Sequence, residues 1–122
     1  MTTRSPVVTR SGNSSGGSDL IAVYSGMQNG DDGVWFNQPG FVLRSASVKG
    51  VLGAGGQVQV KGASDRSVVS GAQADESSLL GNLTSQSTTT TGAYIGVPAY
   101  RPVVTGGDGT TLLTITLYFI QD

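Results

Sequence analysis

The side chains able to do chemistry are few, and their types set the first limits. The chain of 122 residues holds no histidine and no cysteine. Ser-His-Asp and Cys-His relays, imidazole or thiolate metal sites and disulfides are therefore excluded. Its acids are Asp19, Asp31, Asp32, Asp65, Asp75, Glu76, Asp108 and Asp122. A glycosidase needs two carboxylates facing one cleft. Most of these acids stand beside Gly or Ser, where a carboxylate accepts hydrogen bonds from its own turn. Neither "DDG" nor "GDG" fits the D-[ST]-G of an aspartic protease. "NGDDG" (29–33) and "TGGDG" (105–109) offer hard oxygens to calcium, but the spacing is not that of an EF-hand and one loop rarely supplies six ligands. Turn chemistry is the expected use of both. "GAGG" (53–56) lacks the lysine and the following helix of a phosphate loop. The expectation is a protein that is not an enzyme, with no catalytic residue, no cofactor and no metal.

Aromatic rings are the remaining candidates. Trp35, Tyr94 and Tyr100, if aligned on an exposed face, would stack on sugar rings as in a glycan-binding module. The competing reading has Trp35 and Phe36 straddling one strand, one ring in the core and the other at a contact.

The totals favour contact over catalysis. Charged residues are 12% of the chain, against about 25% in an ordinary domain. Ser, Thr, Gly, Asn and Gln take their place, giving a surface that a neighbour can cover without desolvating ions. Net charge is −1 with no cluster of Lys or Arg, so nucleic acid is not an expected partner. No apolar run approaches the roughly 18 residues of a membrane span. "MTTRSPVVTR" lacks the apolar core of a signal peptide, so the expectation is a soluble protein made in the cytosol.

The elements that must position these residues are strands. Residues 1–19 read as a flexible N-terminal arm: "SPVVTR" can pair as one short strand, with Pro6 suited to an edge, and "SGNSSGGSD" is a Gly/Ser tether. In the functional reading the arm lies on an adjacent subunit, anchored by Pro6, Val7 and Val8. Residues 20–122 read as one domain of strands parted by strong turn signals. "DLIAVYSG", "VWFNQPG" and "FVLRSASVKGVL" are the first three. In the third, Val42, Arg44, Ala46 and Val48 alternate with Phe41, Leu43, Ser45 and Ser47. "QVQVKGAS" follows, with Val58 and Val60 facing inward. "DRSVV" is a possible strand edge, "DESSLL" a turn of helix capped by Asp75, and "TSQSTTTTG" an exposed loop or polar edge strand. Near the C-terminus, "AYRPVV" and "LLTITLYFI" flank "TGGDG" as a β-hairpin. Its last strand carries apolar groups on both faces and is expected to lie centrally. The fold class is all-β: an antiparallel β-sandwich, jelly-roll or Ig-like, of about seven to eight short strands with an extended N-terminal arm.

"KGASD" (61–65) and "VPAYRPVVTGGDGTTLLTITL" (97–117) carry a resemblance to small β-sandwich virion proteins of tailed bacteriophages, of the head decoration or cement type. The resemblance implies a protein bound in multiple copies, often as a homotrimer, to the major capsid protein on the outside of the head, where it reinforces capsomer junctions. Its location would be the capsid surface of the virion, after synthesis in the host cytoplasm. A head–tail or fibre component lies within the same resemblance. The expected capsid or subunit contacts are Pro6, Val7, Val8, Trp35, Tyr94 and Tyr100.

Overall fold

The computed structural model describes residues 3–12, 18–36, 40–63, 76–80, 82–95, 97 and 99–121. Its strands are β1 (Thr3–Arg4), β2 (Val7–Gly12), β3 (Ser18–Met27), β4 (Asp32–Gly33), β5 (Phe41–Val51), β6 (Gln57–Ala63), β7 (Glu76–Ser78), β8 (Ser87–Ile95), β9 (Ala99–Thr105) and β10 (Leu112–Gln121). They form two five-stranded sheets, ordered β1-β4-β9-β6-β7 and β2-β3-β10-β5-β8. Pairing is antiparallel throughout except for the short parallel β1–β4 contact. No helix among the described residues is long and apolar enough to cross a membrane.

The core is the layer between the sheets. β10 contributes Leu113, Ile115, Leu117 and Phe119, all essentially buried, and β6 contributes Val58 and Val60. β10 does lie centrally, between β3 and β5. In each of the two strands that flank β10 a bulge resets the alternation. Leu113 pairs with Met27 but Ile115 with Tyr24. The extra residue in β3 falls beside Gly26, whose φ of +69° suits a residue without Cβ. Tyr24 and Met27 thereby both point inward although three positions apart. In β5, Leu43 pairs with Phe119 and Ser45 with Tyr118, so Arg44 is the added residue. Phe41 and Leu43 are buried before it, Ala46 and Val48 after it. The strict alternation expected for this strand is thus corrected: the inward face changes phase at Arg44.

The terminal hairpin is also corrected. β9 pairs with β4 and β6, β10 with β3 and β5, and the two strands lie in opposite sheets. The intervening residues carry the chain across the core instead of turning it back alongside. Both apolar faces are satisfied by meeting each other: the Tyr100 and Phe119 rings stand edge to face, 4.9 Å between centroids. Alternation and a glycine turn are common to both arrangements, so neither distinguishes them.

Other expectations shift similarly. Of "VWFNQPG", Phe36 forms an isolated bridge to Tyr100, while 37–39 lie outside the described residues. Residues 76–78, expected in a helical turn, are strand paired to β6, because the open edge of β6 supplies backbone partners that a single helical turn would not. "TSQSTTTTG" contains the start of β8, at an edge of its sheet. "DRSVV", Asp65, Asp75 and Asp122 lie outside the described residues. Within the expected arm, β1 pairs with β4 and β2 with β3, in different sheets. The chain changes sheet at Ser5 and Pro6, where a missing N–H does no harm. β3 begins at Ser18, within the last two residues of the expected arm.

Candidate functional site

The acidic turns were the first candidates for chemistry, and three of their carboxylates are engaged within the fold. β3–β4, β5–β6 and β9–β10 all cross between sheets at one end of the sandwich, bringing residues 28–31, 52–56 and 106–111 together. Asp108 accepts the Ala54 N–H at 2.9 Å, the Thr110 N–H at 2.8 Å and the Thr110 hydroxyl at 2.6 Å. These bonds, the Thr110 hydroxyl foremost, hold its carboxyl below the usual range. Thr111 is buried, and its hydroxyl donates to Leu52 O at 2.8 Å while accepting the Asp108 N–H. Gly107, at φ +97°, lets the loop close here. Asp31, also buried, accepts the Gln28 N–H at 2.8 Å and Arg4 Nε at 3.0 Å. Asp32 pairs with Arg101 at 3.3 Å. Among the described residues no three acidic, His or Cys side chains cluster as a metal site. These carboxylates tie strand to loop and loop to loop.

The expected aromatic contacts divide. Phe36 packs into the main core, 5.2 Å from Phe119. Trp35 lies with Ala63 and Ala99 in a small separate cluster, and Arg101 covers its ring at 4.6 Å. Trp35 and Phe36 thus pack in different clusters, although neither lies within a strand and Phe36 makes only its isolated bridge to Tyr100. Tyr100 is not a surface ring: it is 1% exposed, its hydroxyl accepts the Val97 N–H at 3.0 Å, and burial raises its pKa. Tyr100 shares a strand face with Val104, both in the core, so inward alternation removes it from any contact surface. Tyr94 belongs to β8; its side chain lies outside the described residues. Pro6, Val7 and Val8 sit at a sheet edge, with Val7 69% and Val8 44% exposed.

A further surface escaped the sequence reading. Register and alternation place Val7, Val23, Thr116 and Ser47 in one row across the outer face of the β2-β3-β10-β5-β8 sheet. Thr9, Ile21, Tyr118 and Ser45 make the next row, and Asp19, Ile120 and Val42 another. Toward the loop end, Thr114 stands beside Lys49 and Leu112 beside Val51. Leu112 and Val51 are both more than half exposed. A shallow depression of about 250 Å³ opens on the β8 side, between Lys49 and Gln86. The Tyr118 hydroxyl donates to Asp19; its pKa is raised by desolvation first, then by that bond and the Asp19 charge, with Arg44 opposing. The signal is present in "LLTITLYFI", whose alternate residues Leu112, Thr114, Thr116, Tyr118 and Ile120 form the outward face of β10, half-buried except for the exposed Leu112. Comparison with known protein families, curated proteins and solved structures finds no match.

Proposed function

We propose that this protein is a structural component of a tailed-phage virion, bound in many copies to the outside of the head, where it reinforces junctions between subunits of the major capsid protein. The observation that carries this reading is the pairing of a tightly cross-bonded sandwich with a broad, neutral sheet face. Ile21, Val23, Val42, Tyr118 and Ile120 stand on that face among Thr and Ser, with exposed Val7 at its margin. Such a surface contributes little per copy after the costs of association. On a repeating lattice, many weak contacts act together. The virion resemblance of residues 97–117 supports the same reading.

Co-sedimentation of the purified protein with assembled, expanded heads tests it. Saturable binding to assembled shells, with little affinity for free capsid subunits, is the expected result. Val7→Asp with Val8→Asp should lower occupancy at least about tenfold by placing charge at the edge. Equal binding to shells and free subunits, or none to either, would end the head assignment. Labelled protein imaged at the neck or tail would favour a head–tail or fibre component. A glycan-binding role has less support, since Tyr100 is in the core and Arg101 covers Trp35.

A further inference from the structure

The outer face of the β2-β3-β10-β5-β8 sheet has the size, chemistry and charge placement to receive a second copy of itself. We infer that two chains pair through this face, sheet against sheet, about a two-fold axis lying in the interface. The inference does not rest on the capsid reading, but the two compete for one face: a copy paired through it would meet a shell with the exposed Val7–Val8 edge or with the outer face of the other sheet.

Size comes first. Five strands about 4.8 Å apart span ~24 Å, and the rows from Leu112 to Ile120 extend ~27 Å. Each copy would bury ~650 Å² and the pair ~1,300 Å², above the ~1,000 Å² that a specific interface needs. The chemistry suits a like partner. Short β-branched and hydroxyl side chains alternate across the rows, and a flat surface of this kind packs closely on another sheet. Neither charge sign dominates: Asp19, Arg44 and Lys49 are the formal charges among the face residues named above, so no strong field selects a highly charged ligand.

Placement of those charges supplies the geometry. Asp19 lies on β3 beside Ile120, whereas Lys49 lies on β5 beside Thr114, at the opposite end of β10. The point midway between them falls on β10 between Thr116 and Tyr118, near the centre of the face. An in-plane two-fold axis through that point, bisecting the Asp19–Lys49 line, sets Asp19 of each copy over Lys49 of the other. Two symmetry-related opposite-charge pairs then flank an aliphatic and hydroxyl centre. Such an isologous contact closes at two copies. It differs from the homotrimer that the virion resemblance implies, and a three-fold assembly would have to use another surface.

Sedimentation equilibrium of the full chain from about 1 to 100 µM tests this. The expected result is a reversible monomer–dimer equilibrium. Thr116→Arg sets two cations against each other near the axis and should weaken the dimer at least about 100-fold. Gln59→Arg, on the outer face of the other sheet, should leave it unchanged. Asp19→Lys and Lys49→Asp should each weaken it about tenfold or more, and the double exchange should restore it. That restoration separates pairing from any folding defect. A monomer throughout the range, a trimer, a Thr116→Arg dimer of undiminished strength, or failure of the double exchange to recover affinity would each overturn the inference. Loss of head binding by a protein that still dimerises would instead count only against the capsid proposal.

Discussion

The two outer faces of the sandwich are built on the same alternation and finish differently. On the β1-β4-β9-β6-β7 sheet, long side chains cover the strands themselves. Arg101 lies over Trp35, reaches Asp32, and helps seal Ala63 and Ala99 beneath, while Gln57, Gln59 and Lys61 extend alongside. On the other sheet, Val, Ile, Thr and Ser fill most of the rows, and the longer Tyr118, Arg44 and Lys49 are spread among them without covering the whole. The lesson is one of reach: a guanidinium or indole can close a surface from within its own chain, whereas a β-branched side chain depends on a neighbour.

Four substitutions break or sharpen this contrast. Leu117→Ala should cost most, about 2–5 kcal/mol, because the side chain is fully buried between the sheets and its loss leaves a cavity. Chemical denaturation should show both faces failing in one transition. Asp31→Ala should cost about 1–3 kcal/mol by stranding the Gln28 N–H and loosening Arg4. Hydrogen exchange should then rise at β1 and β4, not along β10. Trp35→Ala should cost roughly 1–2 kcal/mol, as a half-buried ring leaves Ala63 and Ala99 uncovered. That loss belongs to one face only, and self-association through the other should be unaffected. Asp108→Asn should have the smallest effect, a slight fall in melting temperature at neutral pH. Because the folded carboxyl lies below its ordinary 3.8, its contribution is complete above about pH 4 and fades as pH falls through the folded value. The gap between wild type and Asp108→Asn should therefore narrow in acid, and a gap independent of pH would refute this role.

Much of this was legible from local pattern. Val58 and Val60 facing inward and β10 at the centre of its sheet follow from the pattern of apolar residues along each strand. Local turn chemistry likewise anticipated that Asp108 would serve its own loop. Where alternation misled, a long-range contact decided. The bulge at Arg44 exists because β5 must match both halves of β10. Residues 76–78 became strand because β6 offered an edge. Tyr100 went inward because Phe119, from the opposite sheet, stands over it.

By itself the sequence determined an all-β chain without imidazole or thiol chemistry, sparse in charge, with strand positions marked by glycine turns and alternating apolar residues. These are local or compositional properties, and one residue's conformational preferences suffice to express them. Only the tertiary structure decided that β9 and β10 face each other across the core, that the N-terminal strands divide between the two sheets, and which face of β10 points out of the sandwich. Each depends on which strand lies alongside which, and the energy separating those choices comes from packing residues far apart in the chain.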